Sequence, residues 1–308
     1  KLLEKELARF PKWRVWQALI SPKLALVHAD AGCELFMAPL KVPQATRDWL
    51  GNAVSVQPRD ALPGARARLS GKRVRVDAAG SPAWFAQQLR SVGATVVAGM
   101  DPCLLPKASK NVVERQGSRN AHARDAVAVC RFLHWLEEAG GRQSELSAAA
   151  HLLALRGEVA RFRGESFPAI SGAGPNGAVI HYRVSPESNR AIGANEVYLI
   201  DSGAQYEDGT TDITRTIWTG PDAPPDELRD RVTRVLKGHI ALATLVFPQG
   251  VCGAHIDGFA RQALWQAGLD YDHGTGHGVG AYLSVHEGPV SLSRAARDFS
   301  EELLEQKG

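Results

Sequence analysis

The stretch LIDSGAQYEDGTTDITRT, Leu199–Thr216, carries two carboxylates inside what reads as a strand-turn-strand unit. Alternating apolar residues in VYLI and ITRTIW, with glycine and acidic turn residues between them, predict a β-hairpin. Asp is disfavoured in strands, and a buried carboxylate is costly unless it is paired or binds a metal. Asp201 and Asp212 are therefore the first candidate site residues. A two-residue turn at Asp208 and Gly209 would set Asp201 opposite Thr216 and leave Asp212 roughly 13 Å along the strand. A wider loop centred on Tyr206 and Glu207 would bring the two carboxylates face to face, roughly 5 Å apart. Two such charges repel unless a cation or a shared proton lies between them. The expectation is the wider loop.

A second site-like stretch is DHGTGHGVGAYLSVHEGP, which holds His273, His277 and His286 among Gly274, Gly276, Gly278 and Gly280. Glycine at that density excludes a helix, so His273 and His277 are not a helical HExxH zinc pair despite their spacing of four. It lets backbone approach a ligand or metal closely. A third stretch, FPAISGAGPNGAVIHYR, predicts a hairpin turning at Pro175, Asn176 and Gly177, with His181 late in its second strand. Taken singly, each histidine is also compatible with a hydrogen-bonded structural role. Asp and His ligands together suit Mn²⁺, Zn²⁺ or Co²⁺, and the lack of nearby cysteines disfavours a structural zinc.

The 308 residues leave room for two domains, and 44% hydrophobic with 22% charged residues is an ordinary soluble composition. A formal charge of +3 implies no general attraction to nucleic acid. The basic stretch ARARLSGKRVRV, without aromatic interleaving, reads as a solvated turn and edge strand. Cys33, Cys103, Cys130 and Cys252 form no CxxC pair and read as buried free thiols of a reducing cytoplasm. KLLEKELARF at the N-terminus has an amphipathic helix pattern without the apolar centre of a signal peptide. No apolar run reaches the ~18 residues that span a bilayer. These features predict a soluble cytoplasmic protein.

Up to about residue 105 short apolar runs alternate with helical patterns. KRVRVDAAGSPAWFAQQLRSVGATVVAG predicts a strand, a helix with Ser81 as N-cap and Pro82 in its first turn, and another strand, which is α/β organisation. PCLLPKASKNVVERQG reads as a linker or the entrance to a second domain. Beyond it, RNAHARDAVAVCRFLHWLEEAGG predicts a long helix ending at Gly140 and Gly141, and SELSAAAHLLALRGEVARF a second, opened by Ser144 or Ser147. Strands follow from about Phe167 to Trp218, then helices from Pro225 to Leu245 and from about Ile256 to Gly268. Helices and strands in blocks predict an α+β domain with a largely antiparallel sheet.

The stretches GAGPNGAVIHYR, LIDSGAQYEDGTTDITRT, RVTRVLKGHIALA, FPQGVCGAHIDGFARQALWQAGLDYDHGTGHGVGAYLSVHEGP and SLSRAAR together resemble aminopeptidase P. This is the Xaa-Pro aminopeptidase of the creatinase and methionine-aminopeptidase superfamily, and the resemblance runs in order from about Lys110 to Arg297. It implies a pita-bread catalytic domain over residues 106–308, incomplete at its C-terminal end, after a shortened creatinase-like α/β domain over residues 1–105. By the same resemblance Asp201, Asp212 and His277 are ligands of a dinuclear centre, usually manganese, with zinc or cobalt as alternatives. A metal-bridging hydroxide would attack the bond before proline in peptides whose second residue is proline. His181, His273 and His286 would be the non-ligand active-site histidines that bind the peptide and stabilise the transition state. No nucleic-acid or membrane partner is implied, and a homodimer is compatible with the resemblance.

The resembling family needs two further glutamates, in motifs like EPGYY and GIRIEN, and neither has a match. SLSRAAR runs instead into DFSEELLEQKG, where Glu301, Glu302 and Glu305 read as an amphipathic helix end and not as ligands. The expectation is that the natural chain continues further or has internal segments that this sequence omits. Rival readings are a prolidase limited to Xaa-Pro dipeptides and a pita-bread module that binds peptides or proteins without catalysis. A metal-free creatinase-type hydrolase would leave Asp201 and Asp212 without a purpose.

Overall fold

A computed structural model describes residues 15–20, 23–28, 32–139 and 142–294. The chain divides after Lys107 into two compact units. In the first, β1 (Val15–Ile20), β2 (Lys23–His28), β3 (Cys33–Phe36), β4 (Val54–Gln57), β5 (Arg73–Val76) and β6 (Thr95–Ala98) form a mixed sheet in the order β4-β3-β2-β1-β5-β6. Helices α1 (Gln44–Leu50), α2 (Leu62–Ala67) and α3 (Ala83–Ser91) accompany it. Leu26, Phe36, Val74 and Val76 of the sheet meet Ala65 and Leu89 of the helices in one apolar core.

The expected strand-helix-strand unit is present as β5, α3 and β6, with β5 and β6 parallel. Its helix starts later than expected. The Ser81 amide is taken by the Asp77 carbonyl at 2.9 Å, and extended Pro82 occupies the cap position. Nor is the basic stretch an edge strand, because β5 lies between β1 and β6. Two of its arginines have local partners: Arg68 pairs with Glu34 at 2.6 Å and Arg66 donates to Gln88. All four cysteines are free, but Cys130 is exposed and only Cys252 is fully buried.

The second unit follows α4 (Leu104–Ala108) and contains α5 (Val112–Ala139), α6 (Glu145–Gly157), β7 (Phe162–Ala173), β8 (Glu196–Tyr206), β9 (Gly209–Thr210) and β10 (Ile213–Thr219). It continues with α7 (Asp226–Ala243), α8 (Gly253–Trp265), β11 (Gly276–Gly278) and β12 (Glu287–Leu292). The expected linker is thus largely helical, absorbed into α4 and the first turns of α5. Ser144 caps α6 and Ser147 returns its side chain to the Ser144 amide, so both serines named from the sequence act in one capping box. Strands β7, β8 and β10 form an antiparallel sheet in the order β10-β8-β7, with β9 on β8. Phe132 and Leu136 of α5 and Leu152 and Leu155 of α6 cover Tyr198 and Ile200 of β8. This is the α+β arrangement expected. The N-terminal amphipathic pattern, the Gly140–Gly141 helix end and Glu301, Glu302 and Glu305 lie outside the described residues.

The decisive hairpin adopts neither expected register. Its turn is the two residues Glu207 and Asp208, closed by the Tyr206–Gly209 pair, and Asp201 lies opposite Thr214. One step beyond the Ile213–Ser202 pair, Asp212 comes level with Gly203, which makes Asp201 and Asp212 diagonal neighbours on one face. The reason for the shift is tertiary. Asp208 is held by Arg124 of α5 and by Arg161 at 3.3 Å. A Cβ on Gly209 would stand 2.7 Å from the Ala121 Cβ, so this glycine serves the close approach of α5 and not the turn.

Immediately before Asp212, the hairpin is tied to the helices. The fully buried Asp125 carboxylate accepts from Arg156 Nε and Nη2 at 2.8 and 2.9 Å, from Tyr206 Oη at 2.9 Å and from Thr211 Oγ1 at 2.8 Å. Thr211 Oγ1 in turn accepts from the Ala204 amide at 2.9 Å, replacing a ladder bond where regular pairing lapses. Asp125→Ala should cost about 3–5 kcal/mol, because it leaves the Arg156 guanidinium buried without its partner. Urea denaturation at unchanged m-value measures this, and a loss below about 1 kcal/mol would show that the ion pair does not hold the unit together.

Candidate metal centre

Three segments converge on the hairpin face. From β11, His277 points Nε2 at Asp212 Oδ2, 3.3 Å away. Just before β12, His286 places its ring edge-to-face against that of His277, with centroids 4.2 Å apart. Ligand atoms of Asp212, His277 and His286 all lie within 4.8 Å of one another, the one such set of three among the described residues. Asp201 stands outside this tight set, and its carboxylate accepts from Thr214 Oγ1 at 2.7 Å. It is still electrostatically coupled to Asp212, His181 and His277.

His181 does not lie on a strand. The PNG stretch winds into a 3-10 turn, Gly174–Ala178, and His181 follows in the left-handed region at φ 53°. The signal that misled was the turn chemistry of PNG, and the cause is buried Glu145. Its Oε1 accepts from the Ala173 amide at 2.8 Å and from Asn176 Nδ2 at 2.9 Å. Its Oε2 accepts from Tyr182 Oη and the Arg190 amide, both at 3.0 Å. Glu145 therefore closes the whole segment that carries His181.

His273 is held from α8. Buried Arg261 donates to the His273 carbonyl at 2.9 Å and to Asp257 at 2.7 Å, and its guanidinium lies 3.8 Å over the Tyr271 ring. The two histidines of HGTGH share one local device. Nδ1 of His273 meets the Gly274 carbonyl at 2.8 Å, and Nδ1 of His277 meets the Gly278 carbonyl at 2.9 Å. A carbonyl only accepts, so Nδ1 carries a proton, and in the neutral ring the lone pair is on Nε2, which in His277 faces Asp212.

A divalent ion fits these residues. Diagonal carboxylates with the His277 Nε2 make an oxygen-and-nitrogen donor set suited to a borderline or hard cation. The Gly278 carbonyl behind His277 is the kind of support that fixes a ligating imidazole. Without the ion, the charges strain the site. Burial, reinforced by Asp212 and opposed by the Thr214 hydrogen bond, pushes the Asp201 carboxyl up. The hydrogen bond to Asp212 raises His277 above the ordinary imidazole range against the effect of burial. Sequence reading missed the supporting side chains Glu145, Gln205, Arg261 and Lys110, the last paired with Glu287 beside His286. The one local trace was a polar Gln205 within a strand that buries both of its neighbours.

Paired carboxylates and histidines gathered at an antiparallel sheet are a donor set for a divalent metal. Residues 23–114 match the creatinase/prolidase N-terminal domain, and residues 116–307 match metallopeptidase family M24. The chain belongs to family M24. Aminopeptidase P2 of Arabidopsis thaliana is 51% identical over 196 residues, covering 62% of this chain and 27% of that protein. The crystal structure of X-prolyl aminopeptidase from Caenorhabditis elegans, a cytosolic enzyme with a dinuclear active site, aligns with a TM-score of 0.83 at 31% identity, over 95% of this chain and 52% of that one. Prolidase from Pyrococcus horikoshii OT3 shares the fold, with a TM-score of 0.77 at 20% identity over 96% of this chain and 86% of its own. The chain thus spans about a quarter of the Arabidopsis protein's length and about half of the Caenorhabditis elegans enzyme's.

Metal uptake should strengthen as pH rises. Both shifted groups must lose a proton to become ligands, and both pKa values are raised. In the metal-free protein the His277–Asp212 pair has the opposite sign: its contribution to stability is present below the ordinary imidazole range and lost as pH rises through the raised His277 value. Calorimetric titration with Mn²⁺ from pH 6 to pH 8 is expected to show tighter binding and proton release at each step. Affinity that is flat across that range would remove His277 from the ligand set.

Proposed function

We propose that this chain is the metal- and histidine-bearing part of a metal-dependent aminopeptidase that hydrolyses the bond between an N-terminal residue and a following proline. The observation that carries the reading is the meeting of Asp212, His277 and His286 beside Asp201 on one sheet face. Identity to aminopeptidases over most of the second unit supports it. In this reading residues 1–105 are the creatinase-like domain and residues 106–308 the catalytic one. Asp201, Asp212 and His277 are ligands of two divalent ions, manganese first and zinc or cobalt as alternatives. Such ions, when bound, supply an activated water and polarise the scissile carbonyl.

The protein's own part is to hold and aim. Asp201 and Asp212 put negative charge on an otherwise neutral strand face and so draw cations, including the free amino terminus of a peptide. His286 offers its ring beside His277 and is placed to donate to the oxygen that gains charge, or to hold the proton that the departing proline nitrogen requires. His181 and His273, on the two flanking segments, orient the peptide; both are exposed, as groups that must reach a substrate need to be. Three protein ligands are too few to fix two ions, so this reading requires further carboxylate ligands. The described helices include none long and apolar enough to cross a membrane. A cytoplasmic location and a homodimer belong to the same proposal.

The central test is Asp212→Asn, which replaces a charged ligand by a neutral amide and should abolish Xaa-Pro cleavage and weaken metal retention. Unchanged turnover would refute the assignment. His286→Ala and His277→Ala should separate the remaining roles. The first is expected to keep its metal and lose kcat by about two orders of magnitude or more, whereas the second should lose the metal itself. Elemental analysis of both variants, alongside rates on a tripeptide and on an Xaa-Pro dipeptide, also distinguishes an aminopeptidase from a prolidase.

A further inference from the structure

Between His277 and His286 the chain makes a tight loop that regular structure does not hold. Leu283 and Ser284 both lie in the left-handed region, at φ 61° and 54°, which side-chain-bearing residues avoid. The Gly280 amide donates to the Ser284 carbonyl at 2.9 Å, and a Cβ on Gly280 would stand 2.1 Å from the Leu283 carbonyl oxygen. Packing does not account for this geometry, because the side chains of Tyr282 and Leu283 are 52% and 57% exposed. What reaches the loop from inside is Gln205 of β8, only 5% exposed.

The Gln205 amide is fully used. Its Oε1 accepts from the Leu283 amide at 3.0 Å and from Thr210 Oγ1 at 2.8 Å, and its Nε2 donates to the Tyr206 and Gly209 carbonyls at 2.8 and 3.3 Å. Two carbonyls on one side and two donors on the other fix which end of the amide is oxygen. One side chain thereby joins the turn of the carboxylate-bearing hairpin to the loop that delivers His286 three residues after Leu283.

We propose that Gln205 is a positioning residue: by clamping the Leu283 backbone to the hairpin it fixes His286 relative to His277 and Asp212. The catalytic half of this inference rests on the Xaa-Pro hydrolase reading; the clamp itself does not. A side chain that only stabilised the fold would lower the melting temperature without acting selectively through His286.

Gln205→Met keeps the length of the side chain and removes all four hydrogen bonds, while Gln205→Glu keeps the oxygen facing Leu283 and Thr210. In the full chain, Gln205→Met should speed hydrogen exchange of the Leu283 amide by about tenfold or more and shift the ring signals of His286 in NMR spectra. It should lower kcat by about one to two orders of magnitude with metal content unchanged, the scale of a misplacement near 1 Å. Gln205→Glu should restore part of both effects. Added to His286→Ala, the Met substitution should cost no more than roughly a further twofold, since the two act on one step. Should Gln205→Met fail to fold, Thr210→Val, which removes one partner of the same oxygen, is expected to move Leu283 exchange and kcat in the same direction by less.

Unchanged Leu283 exchange, full additivity with His286→Ala, or metal loss in parallel with kcat would each overturn the proposal. If the unaltered protein cleaves no Xaa-Pro peptide at any metal concentration, the functional reading falls, and Leu283 exchange together with the His286 signals still decides the clamp.

Discussion

The ion pair between Asp125 and Arg156 is the interaction on which the second unit turns. Both side chains are removed from water, and the carboxylate also takes the hydroxyls of Tyr206 and Thr211. A buried charge is tolerable only when its remaining lone pairs are satisfied, and here they are satisfied by the hairpin. The register of β8 against β10 is therefore set from the helices. A slip would withdraw Tyr206 or Thr211 and leave a charged group short of partners. Because Asp212 follows Thr211 directly, the position of the site carboxylate is fixed by the same requirement.

The sequence made the α+β arrangement, the helices and the identity of the converging stretches legible, because alternation, capping and glycine density are local signals. Ser144 and Ser147 announced α6 from a single turn of chain. The hairpin register was not legible, since Gly209 answers to Ala121 of a helix far back in sequence and Asp208 to arginines on two different segments. His181 was misplaced for a related reason: nothing near Pro175 reveals that Glu145 gathers the turn around its carboxylate. The residue types of the site could be read, and the placement of its loops could not, because each loop obeys a distant buried group.

That pattern recurs across the centre. Glu145 closes the segment of His181, Arg261 the segment of His273, and Gln205 the loop before His286. None of the three histidines lies within a strand or helix. Irregular backbone has unpaired amides and carbonyls that must find partners, and here a single well-buried polar side chain supplies several of them at once. The result is a set of loops with fixed geometry on a sheet that itself contributes only carboxylates.

The shared arrangement of His273 and His277, each with Nδ1 committed to the carbonyl of the glycine that follows, makes both imidazoles one-sided. Such a ring cannot pass a proton through itself into the protein, because its inner nitrogen faces an oxygen that has no proton to exchange and no charge to offer. Whatever proton these rings take up or release must travel by the outer nitrogen, which in His277 faces Asp212. The two rings are therefore terminals, not wires.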